Sequence, residues 1–389
     1  MANFYEFFAG GGMARAGLGD GWKCTFANDF DQMKVETYAA NWGRDHIVCE
    51  DVAKLSTADL PGRADLAWAS FPCQDLSLAG SRRGLGTSGS KVATRSGTFW
   101  PFWSLITKLK EQNRSPKLIV LENVYGALTS NGGSDFSMIC STLSQAGYIH
   151  GAMLVDAARF VPQSRQRVFF IAVHPDLTIP SELFSDKPSV AWHPKAMTDA
   201  YAGLAADVKK NWRWWNPREP EIRSANFSDF IEENPSGVDW NSEQQTKKLL
   251  DMMSEVNRQK VSAAALKGKK IVGGVYKRTR IGVDGIKRQR AEVRFDDLAG
   301  CLRTPSGGSS RQTILIVDGK SVRSRLLSPR EAARLMGLPD DYKLPLRYND
   351  AYHVAGDGVC VPAVRHLAAT ILEPILLPLA QPAHRRDFN

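Results

Sequence analysis

Two periodicities alternate along the first 173 residues. Short apolar runs at 3–8, 22–27, 46–49, 65–70 and 117–121 read as strands, while 31–41, 98–112 and 134–146 carry the three-and-four apolar spacing of helices. A further strand is expected at 148–155 and another within 160–172. Strands alternating with helices predict an α/β fold, a doubly wound and mostly parallel sheet. From residue 174 the rhythm changes to Pro, Asn and Trp clusters (Trp212-Arg-Trp-Trp215), a helical piece near 243–265 and short β-like runs separated by glycine. This region, 176–322, reads as a second, smaller domain inserted into a first that comprises 1–175 and 323–389. After it, Ser328-Pro329 and Gly337 bracket a helix by the usual start and stop signals, and an apolar helix is expected at 363–373.

The strand ends collect the chemically interesting side chains. After the first strand, Gly10-Gly11-Gly12 lets the backbone turn tightly and approach a ligand; a glycine-rich turn also occurs with no ligand at all. The second strand ends at Asn28-Asp29-Phe30, where an acid can hold a ribose hydroxyl pair or simply cap helix 31–41. Asp51 follows the third strand, placed either to accept from an adenine amino group or to face water. Pro72 stops the strand at 65–70 and puts Cys73 on a loop at a strand's carboxyl end, where open α/β sheets bind ligands. A thiolate is the strongest nucleophile a side chain offers near neutral pH, although a lone cysteine is more commonly a small buried hydrophobe. Glu122, ending the strand at 117–121, is a poor structural choice unless paired or working. Arg165 and Arg167, two residues apart in a strand-like run, share one face.

Composition narrows the class. Hydrophobic residues at 43% and charged residues at 23% are ordinary for a globular protein, and no run approaches the ~20 apolar residues of a membrane span. Six scattered cysteines with no C-x-x-C pair suit reduced thiols and a cytoplasmic setting, and no metal site is expected. The formal charge is +9, and between 269 and 311 eleven Lys and Arg face four Asp and Glu. Interleaved with Gly, Ser, Thr and Gln, that stretch suits phosphate and base contacts better than a plain solvated face.

Taken in order, Phe8-Ala-Gly10-Gly-Gly12, Asn28-Asp29, Asp51-Val52, Phe71-Pro-Cys73-Gln74, Glu122-Asn123-Val124, Gln163-x-Arg165-x-Arg167, Arg325-x-Leu-Ser-Pro-Arg-Glu331 and Gly356-Asp357-Gly-Val359 resemble the DNA (cytosine-5)-methyltransferase family. The resemblance covers about 1–173 and 323–370. It implies a sheet of the class I S-adenosylmethionine-dependent type, with 176–322 as the target-recognition domain. It also implies a covalent mechanism: Cys73 attacks cytosine C6, protonated Glu122 serves N3, Asn123 holds the loop, Arg165 binds the cytosine carbonyl and Arg167 supports. S-adenosylmethionine would lie with Phe8 and Phe30 against adenine and the Gly10, Gly11 and Gly12 turn at its methionine part. Asp29 would take its ribose and Asp51 its adenine amine, while Val52, Pro72, Asp357 and Val359 finish the pocket and S-adenosylhomocysteine leaves as product. Double-stranded DNA would be gripped by Gln74 and Ser77, by Arg82 and Arg83 of a closing loop at 78–98, and by recognition loops carrying Lys277, Arg278, Arg280, Arg303, Arg311 and Gln312. The resemblance suggests a monomer and leaves open whether a cognate restriction endonuclease accompanies it. Three positions depart from the family pattern: Met13 where glycine is frequent, Asp29 where glutamate is common, and Asp357 where asparagine is usual. A tRNA cytosine-5 methyltransferase, a dinucleotide-dependent oxidoreductase and a catalytically inactive DNA-binding protein are the competing readings.

Overall fold

The computed structural model describes residues 1–72, 95–281, 285–302 and 311–376. Seven strands form the main sheet: β1 (Ala2–Phe7), β2 (Trp22–Asp29), β3 (Ile47–Cys49), β4 (Leu66–Ala69), β5 (Leu118–Val124), β6 (Ile149–Asp156) and β7 (Gln166–Val173). Their order is β3-β2-β1-β4-β5-β7-β6. The first five are parallel, whereas β7 runs antiparallel between β5 and β6. The central strands are nearly continuous runs of buried apolar residues, such as Leu66-Ala-Trp-Ala69, as a sheet covered on both faces requires. Helices α1 (Met13–Leu18), α2 (Gln32–Trp42), α3 (Phe99–Glu111) and α4 (Ser134–Gln145) cover those faces. Strand order reverses about β1 and β4, so their carboxyl ends open into the crevice where such sheets bind ligands. Asp31, not Asp29, caps α2, its carboxylate accepting from the Met33 and Lys34 amides.

A two-stranded ribbon, β8 (Phe184–Ser185) with β9 (Trp214–Trp215), precedes a four-stranded antiparallel sheet. Its strands are β10 (Ile271–Ile281), β11 (Lys287–Arg294), β12 (Thr313–Asp318) and β13 (Ser321–Leu326), in the order β11-β10-β12-β13. A local cluster of Leu249, Met253, Val261, Val275, Val293 and Leu315 packs against it. The stretch from 184 to 231 lies elsewhere: Trp192, Trp212, Trp214 and Trp215 are buried in the clusters of the main sheet. That insertion therefore splits, with its tryptophan-rich first part packed on the main sheet, where burying four indole rings removes a large apolar area from water. The 322/323 boundary expected from sequence falls inside β13. Ser328 and Glu331 form a reciprocal capping box with Pro329 at the first helical position. Glu331 also pairs with fully buried Arg325 at 2.6 Å. One helical stretch, 348–376, is long and apolar enough to cross a membrane, but half of it is buried in the protein, with Tyr352, Val364 and Ile371 in the core.

Buried histidines give a pH signature. His150 and His193 are pushed down to about 4 by burial, and the Nε2 of each has no hydrogen-bond partner. Both are neutral when folded and charge only on unfolding below about pH 6.5, so they stabilise the fold fully above that pH and lose the contribution as pH falls toward 4. Glu6 acts oppositely: burial pushes it up to about 8, so its contribution falls as pH rises from about 4.5 to 8. Stability in urea should therefore peak near pH 6.5 and lie a few kcal/mol lower at pH 5. A monotonic rise from pH 5 to 8 would contradict these assignments.

Candidate active site

The glycine turn is built for close approach. Gly10 and Gly12 adopt φ of +55° and +78°, and a Cβ on Gly10 would meet nothing within 4 Å, so this backbone faces open space. Gly11 is held from behind: its carbonyl accepts from Tyr342 Oη at 2.6 Å and Trp42 Nε1 at 3.1 Å. Phe8, just before the turn, has φ of +57°, an unfavourable conformation for a bulky residue of the kind that clusters at functional sites. Asp29 at the end of β2 accepts from the Gly10 amide at 2.9 Å and the Asp31 amide at 3.0 Å. Burial, more than its neighbours' opposing effects, raises its pKa. Beside it Phe30 is 70% exposed, an aromatic face presented to solvent. Asp51 accepts from the Ala53 amide at 2.9 Å, with Val52 buried behind it. An open glycine cradle, an exposed ring and acids at successive strand ends together form a crevice with both polar and aromatic contacts to offer a ligand.

At the end of β5, Glu122 is 6% exposed and its Oε1 receives Arg167 Nε at 3.0 Å. The pairing is set by register: Arg167 lies opposite Val124, which places it diagonal to Glu122 on one face of the antiparallel pair. Asn123 donates through Nδ2 to the Phe71 carbonyl at 3.2 Å, tying this strand end to the chain two residues before Cys73. Cys73 itself, with Gln74, Ser77, Arg82, Arg83 and Arg303, lies outside the described residues. Pro72 is half-buried, and Val359 is buried.

Arg165 points inward to the backbone. It is 2% exposed, and its guanidinium donates to the carbonyls of Leu302 (3.2 Å), Gly356 (2.9 Å) and Gly358 (2.6 Å) and to Cys301 Sγ (3.4 Å). Its neighbour Gln163 is fully buried, bonded to the Leu335 carbonyl and the Leu302 amide. This arginine ties its own segment to two others, 301–302 and 356–358, through backbone carbonyls that the sequence did not announce. Gln312 is 5% exposed, and its amide donates to the Val275 and Thr313 carbonyls.

The family model for C-5 cytosine-specific DNA methylases matches residues 2–373. The chain belongs to that family. It is 27% identical over 377 residues to the type II methyltransferase M.BsuFI of Bacillus subtilis, covering 96% of this chain and 73% of the relative. With M.HpaII of Haemophilus parainfluenzae it shares 28% over 380 residues, covering 96% and 89%. The crystal structure of the S. pombe Dnmt2 methyltransferase superposes with a TM-score of 0.57 at 17% identity, covering 97% of this chain and 99% of that one; at that identity it speaks for the fold. The enzyme is thus a DNA cytosine-5 methyltransferase of the class I methyltransferase fold.

Its basic surface takes a form the sequence did not suggest. Lys277, Arg278 and Arg280 sit in strand β10, which pairs with β11 as an extended ribbon rather than a recognition loop. Arg278 lies opposite Arg290, and Arg280 opposite Arg288. Like charges facing each other destabilise a sheet, and Glu292 offsets them in part, at 2.6 Å from Arg280. Arg311 stacks over Tyr348 at 5.2 Å and lines a cleft of about 450 Å³ with Arg347, Asn241 and Asn349. Sequence reading missed Glu6, whose buried Oε2 is unpartnered, Tyr342 behind Gly11, and Lys34, whose partner is far along the chain.

Proposed function

We propose that this enzyme methylates C5 of a cytosine turned out of duplex DNA, through a transient bond between Cys73 Sγ and cytosine C6. The observation that carries the reading is the junction of Glu122, Arg167 and Asn123: a buried acid held by an arginine, beside the anchor of the Cys73 loop. Cytosine C5 is too electron-poor to attack a methyl donor directly. Addition of the Cys73 thiolate at C6 converts C5 into an enamine carbon, which divides one hard step into two easier ones. Glu122 delivers a proton or hydrogen bond to N3 as charge develops there, and Arg167 fixes the carboxyl's direction. When bound, S-adenosylmethionine would supply the electrophilic methyl group, and the Gly10–Gly12 turn, Asp29, Asp51, Phe8 and Phe30 would hold it. Loss of the C5 proton to a base then expels Cys73 and restores the aromatic ring.

A duplex keeps its cytosines stacked, so the target must be extruded at a cost of a few kcal/mol. A two-stranded ribbon such as β10–β11 fits the major groove, and its Lys277, Arg278 and Arg280 supply positive charge for phosphates. Arg311 and Arg347 in the adjoining cleft would take the backbone. The test is transfer of labelled methyl groups to duplex DNA and to tRNA in parallel. Incorporation into DNA alone is expected, with a steep loss of DNA affinity as salt rises; incorporation confined to tRNA would overturn the substrate assignment. Bisulfite sequencing of the modified DNA would then read out the recognition sequence.

A further inference from the structure

One ion pair joins residues 323 positions apart. Lys34, in the first turn of α2, donates to Asp357 Oδ2 at 2.8 Å, Asp357 being the last residue of the helix Tyr348–Asp357. The Lys34 side chain is 16% exposed. Burial alone would push its ammonium group down, but Asp357, Asp29 and Asp31 around it reverse that and its pKa rises. The pair flanks the glycine turn from two directions. Asp29 accepts the Gly10 amide, and Gly358 packs so closely on Met13, directly after the turn, that a Cβ there would collide with the Met13 sulfur.

We propose that Lys34 is a specificity-determining residue of the donor site, cancelling the charge of Asp357 so that the pocket accepts the carboxylate of the donor's amino-acid half. The inference rests on the reading of this crevice as the S-adenosylmethionine pocket. Three carboxylates, Asp29, Asp31 and Asp357, surround this corner, and like charges a few ångströms apart near a protein surface repel strongly enough to shift affinity by an order of magnitude. An asparagine at position 357 would bring no charge. Aspartate is tolerable there because Lys34, brought in by a different helix, accompanies it. Lys34 acts through Asp357 and through the local field, leaving the reacting atoms to Cys73 and Glu122.

Calorimetry on the full chain separates this from a purely structural salt bridge. Two probes differ in the relevant group: S-adenosylhomocysteine carries the amino-acid carboxylate, and 5′-methylthioadenosine lacks it. Lys34→Met keeps the aliphatic stem and should weaken S-adenosylhomocysteine about tenfold while leaving methylthioadenosine within about twofold. The double variant Lys34→Met/Asp357→Asn should recover most of the lost affinity, and Asp357→Asn alone should bind S-adenosylhomocysteine at least as well as the parent. Equal losses for both probes, no loss for either, or selective loss in Asp357→Asn would overturn the proposal. If Lys34→Met alone fails to fold, the double and Asp357→Asn variants still decide between these outcomes. A parent enzyme that binds neither probe would instead overturn the donor-pocket reading itself.

Discussion

Cys73→Ser is expected to lose methyl transfer by roughly 10⁴-fold or more while still binding duplex DNA and S-adenosylhomocysteine. A serine hydroxyl occupies nearly the same volume, so binding and folding change little. Its oxygen stays protonated near neutral pH, however, and cannot add to C6 at a useful rate. The loss should be far larger than for any neighbour, because without the addition C5 never becomes nucleophilic and the other groups have nothing to stabilise. The complementary check uses DNA carrying 5-fluorocytosine at the target. Fluorine cannot leave as a cation, so the adduct formed by the parent enzyme persists and survives denaturing electrophoresis. Cys73→Ser should leave no such band. Full activity in the variant, or an unchanged adduct, would assign the nucleophile elsewhere.

What sequence could reveal follows from how far each signal reaches along the chain. Strand ends carrying Asp29, Asp51 and Glu122 were legible because a buried parallel strand is a short apolar run and the residue after it stands at the sheet's working edge. The Ser328 capping box was legible because its two members are three residues apart. Partnerships across long separations were not. Nothing near Lys34 announces Asp357, and nothing near Gln163 announces Leu335 or Leu302. Sheet periodicity predicted Arg165 and Arg167 on one face, but β7 begins at Gln166, so only Arg167 lies in the strand and the spacing could not divide their roles. Antiparallel β7 brings Arg167 to Glu122, whereas Arg165, just before the strand, meets the ends of other segments. The basic stretch at 277–294 read as a loop because its charges mask a β-alternation that tertiary pairing enforces. The inward turn of Gln312 was hidden for a related reason: a polar residue beside a glycine-rich loop can turn inward when buried carbonyls need a donor.

The two arginines can be told apart by experiment. Arg165→Ala should be a stability variant. It removes the donors from three buried carbonyls, and each buried polar group left unsatisfied costs about 1–3 kcal/mol. The guanidinium is itself disfavoured by burial, which lowers its pKa, so part of that loss is returned, and a net destabilisation of about 3 kcal/mol in urea is a reasonable magnitude. Because Leu302, Gly356 and Gly358 belong to segments leading into the recognition region and the Asp357 corner, both DNA and donor binding should weaken along with stability. Arg167→Ala should behave as a catalytic variant. Its side chain lies at the edge of the site, 13% exposed, and its pairing with Glu122 at 3.0 Å fixes the direction of one carboxyl group. Loss of a positioned proton donor typically costs 10²–10⁴-fold, so kcat should fall by about 10²-fold with the urea midpoint near that of the parent. Glu122→Gln should show a similar fall, and combining it with Arg167→Ala should add little, since both changes disable the same unit. If instead Arg165→Ala left stability intact and selectively reduced kcat, the guanidinium would reach the base after all and the division of roles would reverse.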